Sequence, residues 1–156
     1  MTDSLSTGLQ VRTGAWTLVG PQAAEVRTRV FVQEQGIPAE MEWDEDDATA
    51  LHAVVTGPQG QALGTGRLLQ AAPGLAKIGR VAVLAECRGQ GLGRLVMRTL
   101  MQAAADRGDR EVVLHAQRSA EAFYCDLGFS PRGEPFDEVG IPHIEMAAPL
   151  AVAGTR

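Results

Sequence analysis

Two stretches of this 156-residue chain combine residue types and spacings that bear on chemistry. The first is Arg88-Gly89-Gln90-Gly91-Leu92-Gly93-Arg94, preceded by the apolar run Val81-Ala82-Val83 and followed by a helical pattern. Glycines at alternate positions let a backbone turn sharply and bring its amide hydrogens close to an anion. The helix behind them adds unpaired N–H groups and a partial positive charge. Such a loop is suited to cradle a pyrophosphate. The second stretch is acidic: Glu40, Glu42, Asp44, Glu45, Asp46 and Asp47 crowd one segment. So many like charges resist packing into a core, so the segment is expected to be a solvated loop, either a solubilising turn or a rim that attracts a cationic substrate.

The glycine loop admits several readings. A phosphate loop of the nucleoside-triphosphate type ends in Gly-Lys-Ser or Gly-Lys-Thr, because the lysine and hydroxyl serve the outer phosphate and magnesium. Here Gly93 is followed by Arg94 and Leu95. A dinucleotide fingerprint starting at Gly89 needs glycine at position 94 and sits on the first strand of its domain. The plain alternative is a tight strand-to-helix turn with no ligand. Arg88 and Arg94 favour the phosphate, since guanidinium groups at a helix start are electrostatically unhelpful unless an anion is there to meet them.

The elements that must position this loop follow from periodicity and breakers. A first strand is expected near Gly14 to Val19, then a helix over Pro21 to Gln35 with Ala23, Val26, Val30 and Phe31 on one side. Leu51 to Thr56 and Gln61 to Leu69 read as a hairpin around Gly57-Pro58-Gln59-Gly60, and Ala76 to Leu84 as the next strand after Pro73-Gly74. Leu92, Leu95, Val96, Thr99, Leu100 and Ala103 repeat at helical steps until Gly108. Glu111 to Ala116 is a strand, Ala120 to Leu127 a short helix closed by Gly128, and Phe129 opens a last strand pair running through Met146. The order implies an α+β layer with a mixed, mostly antiparallel sheet and one parallel neighbour between Ala76 and Ala116.

Composition sets the outer bounds. A chain of this length fits one domain, residues 1–156 with a core about 10–150, and buries about 70% of its unfolded surface without a metal or disulfide. The formal net charge of -5 disfavours nucleic acid as a partner. The apolar runs are too short for a membrane span, and Met1 to Gln10 has no signal-peptide pattern, so a cytoplasmic protein is expected. Cys87 and Cys125 form no Cys-x-x-Cys pair and are expected to be reduced. Cys125 has no histidine beside it to activate a thiol nucleophile.

Arg88-Gly89-Gln90-Gly91-Leu92-Gly93 resembles the Arg/Gln-x-x-Gly-x-Gly/Ala motif of the GNAT superfamily of acetyl-CoA-dependent N-acyltransferases. Phe123-Tyr124-Cys125-Asp126-Leu127-Gly128-Phe129 is similar to that family's Phe-Tyr-x-x-x-Gly-Phe segment. Val30-Phe31-Val32-Gln33-Glu34-Gln35, His115-Ala116-Gln117 and Gly140-Ile141-Pro142-His143-Ile144 resemble its ElaA/YjcF-like branch. The resemblance covers about Arg27 to Met146. It implies a sheet of about six to seven strands flanked by helices, with a splayed parallel strand pair holding the acyl-CoA. It implies no metal, acetyl-CoA as acyl donor, and an acceptor that is a primary amine of a small molecule or peptide, in a monomer or homodimer.

By the same resemblance, the backbone at Val81, Ala82 and Val83 pairs with the pantetheine arm. Amides of Gln90, Gly91, Gly93 and Arg94 hold the pyrophosphate, within the loop Arg88, Gly89, Gln90, Gly91, Leu92, Gly93 and Arg94, and Arg88 adds charge. Gln117 stands where the superfamily often has asparagine, and Phe123 and Tyr124 belong to the cofactor-binding residues, with Tyr124 as general acid towards the departing thiolate. The reaction implied is direct attack of the amine on the thioester through a tetrahedral oxyanion stabilised by a strand amide near Val81. An alkylamine with pKa about 10.4 is mostly protonated at pH 7, a mismatch equivalent to about 4.6 kcal/mol, so a base must help. Many relatives place a glutamate before the glycine loop, whereas this chain reads Lys77-Ile78-Gly79-Arg80. The candidates are Glu34 and His143, then His115, with His52 ranking lower. A non-catalytic acyl-CoA-binding or sensing domain is the alternative, and a nucleotide-binding module a third reading.

Overall fold

The computed structural model of the chain describes residues 8–151. Its strands are β1 (Gln10–Gly14), β2 (Leu51–Thr56), β3 (Ala62–Ala72), β4 (Leu75–Val83), β5 (Glu111–Gln117), β6 (Ser130–Glu138) and β7 (Ile141–Pro149). Its α-helices are α1 (Trp16–Arg27), α2 (Ala39–Glu42), α3 (Leu92–Asp106) and α4 (Glu121–Asp126). The strands follow the order β1-β2-β3-β4-β5-β7-β6 in one sheet. The β4–β5 pair is parallel, and the pairs β1–β2, β2–β3, β5–β7 and β6–β7 are antiparallel. This is the mostly antiparallel α+β sheet that the order of sequence patterns implies. The described residues fall into two compact units: those up to Leu69 with Arg80–Leu100, and Gln70–Gly79 with those from Met101 onwards.

In the first unit, Trp16, Val19, Gly20, Ala23, Val26 and Arg27 recur at three- and four-residue steps and form the covered side of α1. The expected strand over Gly14 to Val19 is therefore wrong. β1 ends at Gly14 and the helix has begun by Trp16. The β-favouring run Trp16-Thr17-Leu18-Val19 is overridden by the packing available to its helical periodicity. Pro21 lies inside α1 rather than at its first turn. Gly20 is needed because the indole of Trp16 lies over it: a Cβ there would stand 2.7 Å from Trp16 Cδ2. Past Arg27 the helix widens into a π-helical segment, Thr28–Glu34, and Gly36 at φ +74° ends it.

β2 matches its expected span, and Ala53, Val54 and Val55 within it are each 0% exposed. Its neighbour β3 carries Gly66 where α3 passes closest, since a Cβ there would stand 2.7 Å from Val96 Cγ1 and 3.0 Å from Leu100 Cδ1. Val96, Met97 and Leu100, spaced at helical steps, supply that side of α3 and are fully buried.

The acidic segment is not the solvated loop expected from its composition. It folds into α2 and a 3-10 turn over Glu45–Ala48, with Asp47 at 0% and Glu42 at 9% exposure. Arg27 forms ion pairs with Glu42 and, at 2.7 Å, with Asp47; Arg67 donates to Asp44 at 2.6 and 2.9 Å and to Asp47 at 3.0 Å. Arg80 adds bonds to the Glu42 carbonyl at 2.9 Å and to Asp44 at 3.2 Å. Arginines distant in sequence neutralise the carboxylates, which removes the repulsion that made burial look too costly. Only Glu40, Glu45 and Asp46 of the six acids are exposed.

In the second unit, β5 and β7 put an apolar face on one side of the sheet, although Val113 and His143 are buried on the other side as well. Val112, Leu114 and Ala116 of β5, with Ile144, Met146 and Ala148 of β7, are buried and share a face with each other through their antiparallel register. Glu111, His115 and Gln117 of β5 lie on the opposite face, with His143 and Glu145 of β7. β6 joins that face through Arg132 opposite Glu145 and Phe136 opposite His143. The β6–β7 turn uses Val139 at φ +48° and Gly140 at φ +80°, and the Gly140 amide donates to the Asp137 carboxylate at 3.2 Å.

Candidate functional site

In the first unit, β4 is interrupted just before its apolar end. Arg80 adopts φ +52°, rare for a side-chain-bearing residue inside a strand, while its guanidinium is held by the Glu42 carbonyl and Asp44. The Arg80 pKa is pushed down by burial and by the neighbouring Arg67. Val81 and Val83 beyond it are half-buried and Ala82 is 4% exposed.

The glycine loop follows a 3-10 turn at Ala85–Cys87. Gly89 and Gly91 take φ +81° and +83°, and a Cβ at either would meet no atom within 4 Å. Glycine is thus required by the backbone angle, and the space beside it is open. The Leu95 amide donates to the Gly91 carbonyl at 3.0 Å, so the amides of Gly91, Leu92, Gly93 and Arg94 are those with no acceptor inside α3. Leu92 is 2% exposed, its side chain part of the core. Gln90 is exposed and Arg94 half-buried.

Arg88 is anchored by donating from Nε to the Val83 carbonyl at 3.0 Å. Its two terminal nitrogens meet both oxygens of Glu34 at 2.7 Å each. That bidentate pair holds the Glu34 carboxyl below the usual carboxylate range, chiefly through the hydrogen bonds from Arg88. An ionised carboxylate committed to a guanidinium has little proton affinity to offer, which weighs against Glu34 as the base. A hollow of about 270 Å³ lies between the π-helical segment, at Arg29, Val30, Gln33 and Glu34, and the turn at Leu84 and Ala85.

His52 is also in the first unit and is 0% exposed. Its Nε2–H donates to the Asp47 carbonyl at 2.9 Å, its Nδ1 has no partner, and burial pushes its pKa down. With the indole of Trp16 5.0 Å away, it is a packed structural histidine.

In the second unit, Tyr124 on α4 is 9% exposed, with the rings of Phe123 and Phe129 at 4.9 and 5.9 Å. Burial pushes its phenol up to about 12. Both remaining histidines project from the polar face of the sheet. His115 Nδ1–H donates to Glu138 at 2.9 Å, and its Nε2 stands 3.9 Å from Glu145. His143 Nδ1–H donates to the Ile141 carbonyl at 2.7 Å, and its Nε2 stands 3.9 Å from Glu138. Phe136 meets His115 edge-on at 5.1 Å and stacks on His143 at 6.0 Å. Gln117 is half-buried on β5 and pairs in register with His143.

Sequence reasoning named both histidines and missed Glu138, Glu145, Phe136 and Arg80. A signal was available for the first three. A hairpin turning at Val139-Gly140 sets Glu138 opposite Ile141 and Phe136 opposite His143, and the two-residue period of the strands then assigns the face. Arg80 carried no such signal, because its partners come from a segment distant in the chain. Cys87 and Cys125 are free thiols, half-buried and exposed respectively. No helix of the described residues is long and apolar enough to cross a membrane, and no group of three or more His, Cys, Asp or Glu among them is placed to hold a metal ion.

Known proteins are similar to this chain in sequence and in fold. A family model described as an acetyltransferase (GNAT) domain matches residues 19–150. The uncharacterized N-acetyltransferase YjcF of Bacillus subtilis is 39% identical over 122 residues, which cover 78% of this chain and 86% of that protein. An acyl-CoA N-acyltransferase from Pseudomonas aeruginosa matches in structure with TM-score 0.79 and 34% identity, over 90% of this chain and 99% of that one. Escherichia coli ElaA matches with TM-score 0.80 and 28% identity, over the same shares. The chain belongs to the GNAT acetyltransferase family, in the branch that includes YjcF and ElaA.

Proposed function

We propose that this protein transfers an acetyl group from acetyl-CoA to a primary amine of a small molecule or peptide, and that the chain acts as one acetyltransferase domain. The observation that carries this reading is the glycine loop. Gly89 and Gly91 take left-handed angles with open space beside them, directly before the α3 start whose first amides have no acceptor inside the helix, a combination that supports an anion such as pyrophosphate there. Gly89, Gln90, Gly91, Leu92, Gly93 and Arg94 contribute backbone, and Arg88 and Arg94 charge. Val81, Ala82 and Val83 offer strand backbone to the pantetheine arm, and the resemblance to the family makes Gln117, Phe123 and Tyr124 further candidates to contact the donor. When bound, the donor supplies an activated thioester carbonyl.

Arg88 must divide its guanidinium between Glu34 and the phosphate, so binding of the donor competes with an existing bidentate pair. Tyr124 stays protonated throughout the working pH range, with its phenol near 12. A thiol, with pKa about 8.5, is the stronger acid by more than three units, so Tyr124 serves best by holding a hydrogen bond on the departing sulfur rather than by surrendering its proton outright. The amine reaches the enzyme as an ammonium, and Glu34, His143 and His115 are the candidates to receive its proton.

The test is an acceptor screen with acetyl-CoA, following free thiol across polyamines, amino acids, aminoglycosides and peptides. Thiol release with any amine, together with thermal stabilisation by CoA, supports the reading. Stabilisation by ATP or NAD and not by acetyl-CoA overturns it.

A further inference from the structure

We propose that Glu138, His115 and Glu145 form an acceptor-activating group in which His115 Nε2 takes the proton from the acceptor's ammonium, Glu138 positions His115, and Glu145 anchors the ammonium. The inference rests on the transferase reading and names the substrate class and base for it. The Glu138 carboxylate can only accept, so the 2.9 Å contact places the proton of neutral His115 on Nδ1 and leaves a lone pair on Nε2. The same carboxylate stabilises the imidazolium that forms once Nε2 has accepted a proton. Phe136, edge-on to His115 at 5.1 Å, fixes the ring from one side.

His115 Nε2 and a Glu145 carboxylate oxygen stand close enough for one ammonium nitrogen, placed to the side of both, to reach them together. Glu145 Oε1 lies 3.9 Å away, too far for a direct hydrogen bond, and a nitrogen about 2.9 Å from both atoms would bridge them. Glu145 keeps its other oxygen on Arg132 at 2.9 Å, so its orientation is already set. His115 is also reachable, with its side chain 29% exposed against 6% for His143, whose Nδ1 is tied to a backbone carbonyl. The parallel β4–β5 pairing ends at Lys77 opposite Val113. His115 lies two residues further along β5. Two residues further along β4 is Gly79, where a Cβ would meet no atom within 4 Å.

The proton balance closes. One ammonium proton passes to Nε2, and the freed nitrogen pair forms the N–C bond to the acyl carbon as the C–S bond breaks. The sulfur leaves with the C–S electron pair and takes up the second nitrogen proton. The imidazolium returns its proton to water, giving amide, free thiol and one released proton. The titratable and charged groups facing His115 are Glu111 on its own strand, Arg132 and Glu138 on β6, and His143 and Glu145 on β7; Lys77 of β4 shares this face through its pairing with Val113.

The experiment compares full-length wild type with His115→Gln, Glu138→Gln and Glu145→Gln on the best amine found. His115→Gln is expected to lower kcat/KM for the amine about 10²-fold at pH 7. Its residual rate should climb about tenfold per pH unit towards the amine pKa, because only amine deprotonated in solution then reacts. Glu138→Gln should reduce kcat about tenfold, and Glu145→Gln should raise the amine KM with smaller change in kcat. Binding of CoA, read by thermal shift, should be unchanged in all three. Ring 15N shifts of wild type give a readout that needs no turnover: His115 should be the Nδ1–H tautomer when neutral. Wild-type activity with an unchanged His115→Gln pH profile overturns this proposal alone, as does an Nε2–H tautomer. Wild type that acylates none of the amines overturns the transferase reading and the base role with it.

Discussion

Around Asp47, three arginines meet three carboxylates, and Asp47 and Arg27 are 0% and 1% exposed. Around His115, two histidines, two glutamates and an arginine meet with Glu138 and Arg132 at 39% and 48% exposure. The residue types are alike, but the saturation differs. In the first cluster each carboxylate accepts from at least one guanidinium, and Asp44 and Asp47 from two each, so removing a partner strands a buried charge. In the second, Nε2 of each histidine faces a carboxylate 3.9 Å away. Charges bound to one another hold a fold. Charges held just short of contact can receive a ligand.

Substitution should separate the two regions most sharply in stability. Asp47→Ala is expected to cost about 3–5 kcal/mol in urea unfolding, because Arg27 and Arg67 lose a shared buried partner. Glu138→Gln should stay within about 0.5 kcal/mol of wild type. Equal losses would erase the distinction between structural and functional charge. Tyr124→Phe comes next: turnover should fall about 10²-fold, about 2.7 kcal/mol in activation free energy, with CoA affinity retained. Turnover equal to wild type would remove the hydroxyl from the reaction.

The pH dependence of stability should follow the closed cluster. Asp44 is held below its ordinary pKa chiefly by the hydrogen bonds from Arg67; Asp47 is held low because bonds from Arg27 and Arg67 outweigh the opposing effect of burial. Burial lowers His52 as well. Each of these groups binds protons more weakly folded than unfolded, so their stabilisation is present above the unfolded values and is lost as pH falls. The midpoint of thermal unfolding should begin to drop below about pH 6.5 as unfolded His52 protonates, then fall further below about pH 4 as the carboxylates follow. Tyr124 acts in the opposite sense: its raised phenol favours the fold until pH passes 10 and that contribution is lost towards 12. A flat profile between pH 7 and 4 would show that the cluster is not coupled to folding.

The smallest effect is expected at the glycine loop. Arg88→Ala should weaken CoA binding about tenfold, while Glu34→Gln, which releases Arg88, should tighten it by about threefold. Weaker binding in Glu34→Gln would mean that Glu34 positions Arg88 for the phosphate instead of competing for it.

Local patterns made much of the molecule legible. β2, α3 and the Gly57–Gly60 hairpin follow from periodicity and turn residues, and Gly89 and Gly91 from the left-handed angles that only glycine adopts at low cost. The first helix was misread because Trp16 to Val19 satisfies strand propensity and helical periodicity alike. The acidic segment was misread for a different reason. Its charge was plain, but the arginines that neutralise it sit at 27, 67 and 80.

The sequence by itself determined most of the elements, the glycine loop and the family, because each of these rests on residues close together in the chain. Tertiary structure alone decided which charges are spent and which are available. Coulomb and hydrogen-bond energies depend on distance and burial, and Asp47 and Glu138 acquire those only when remote segments fold against them.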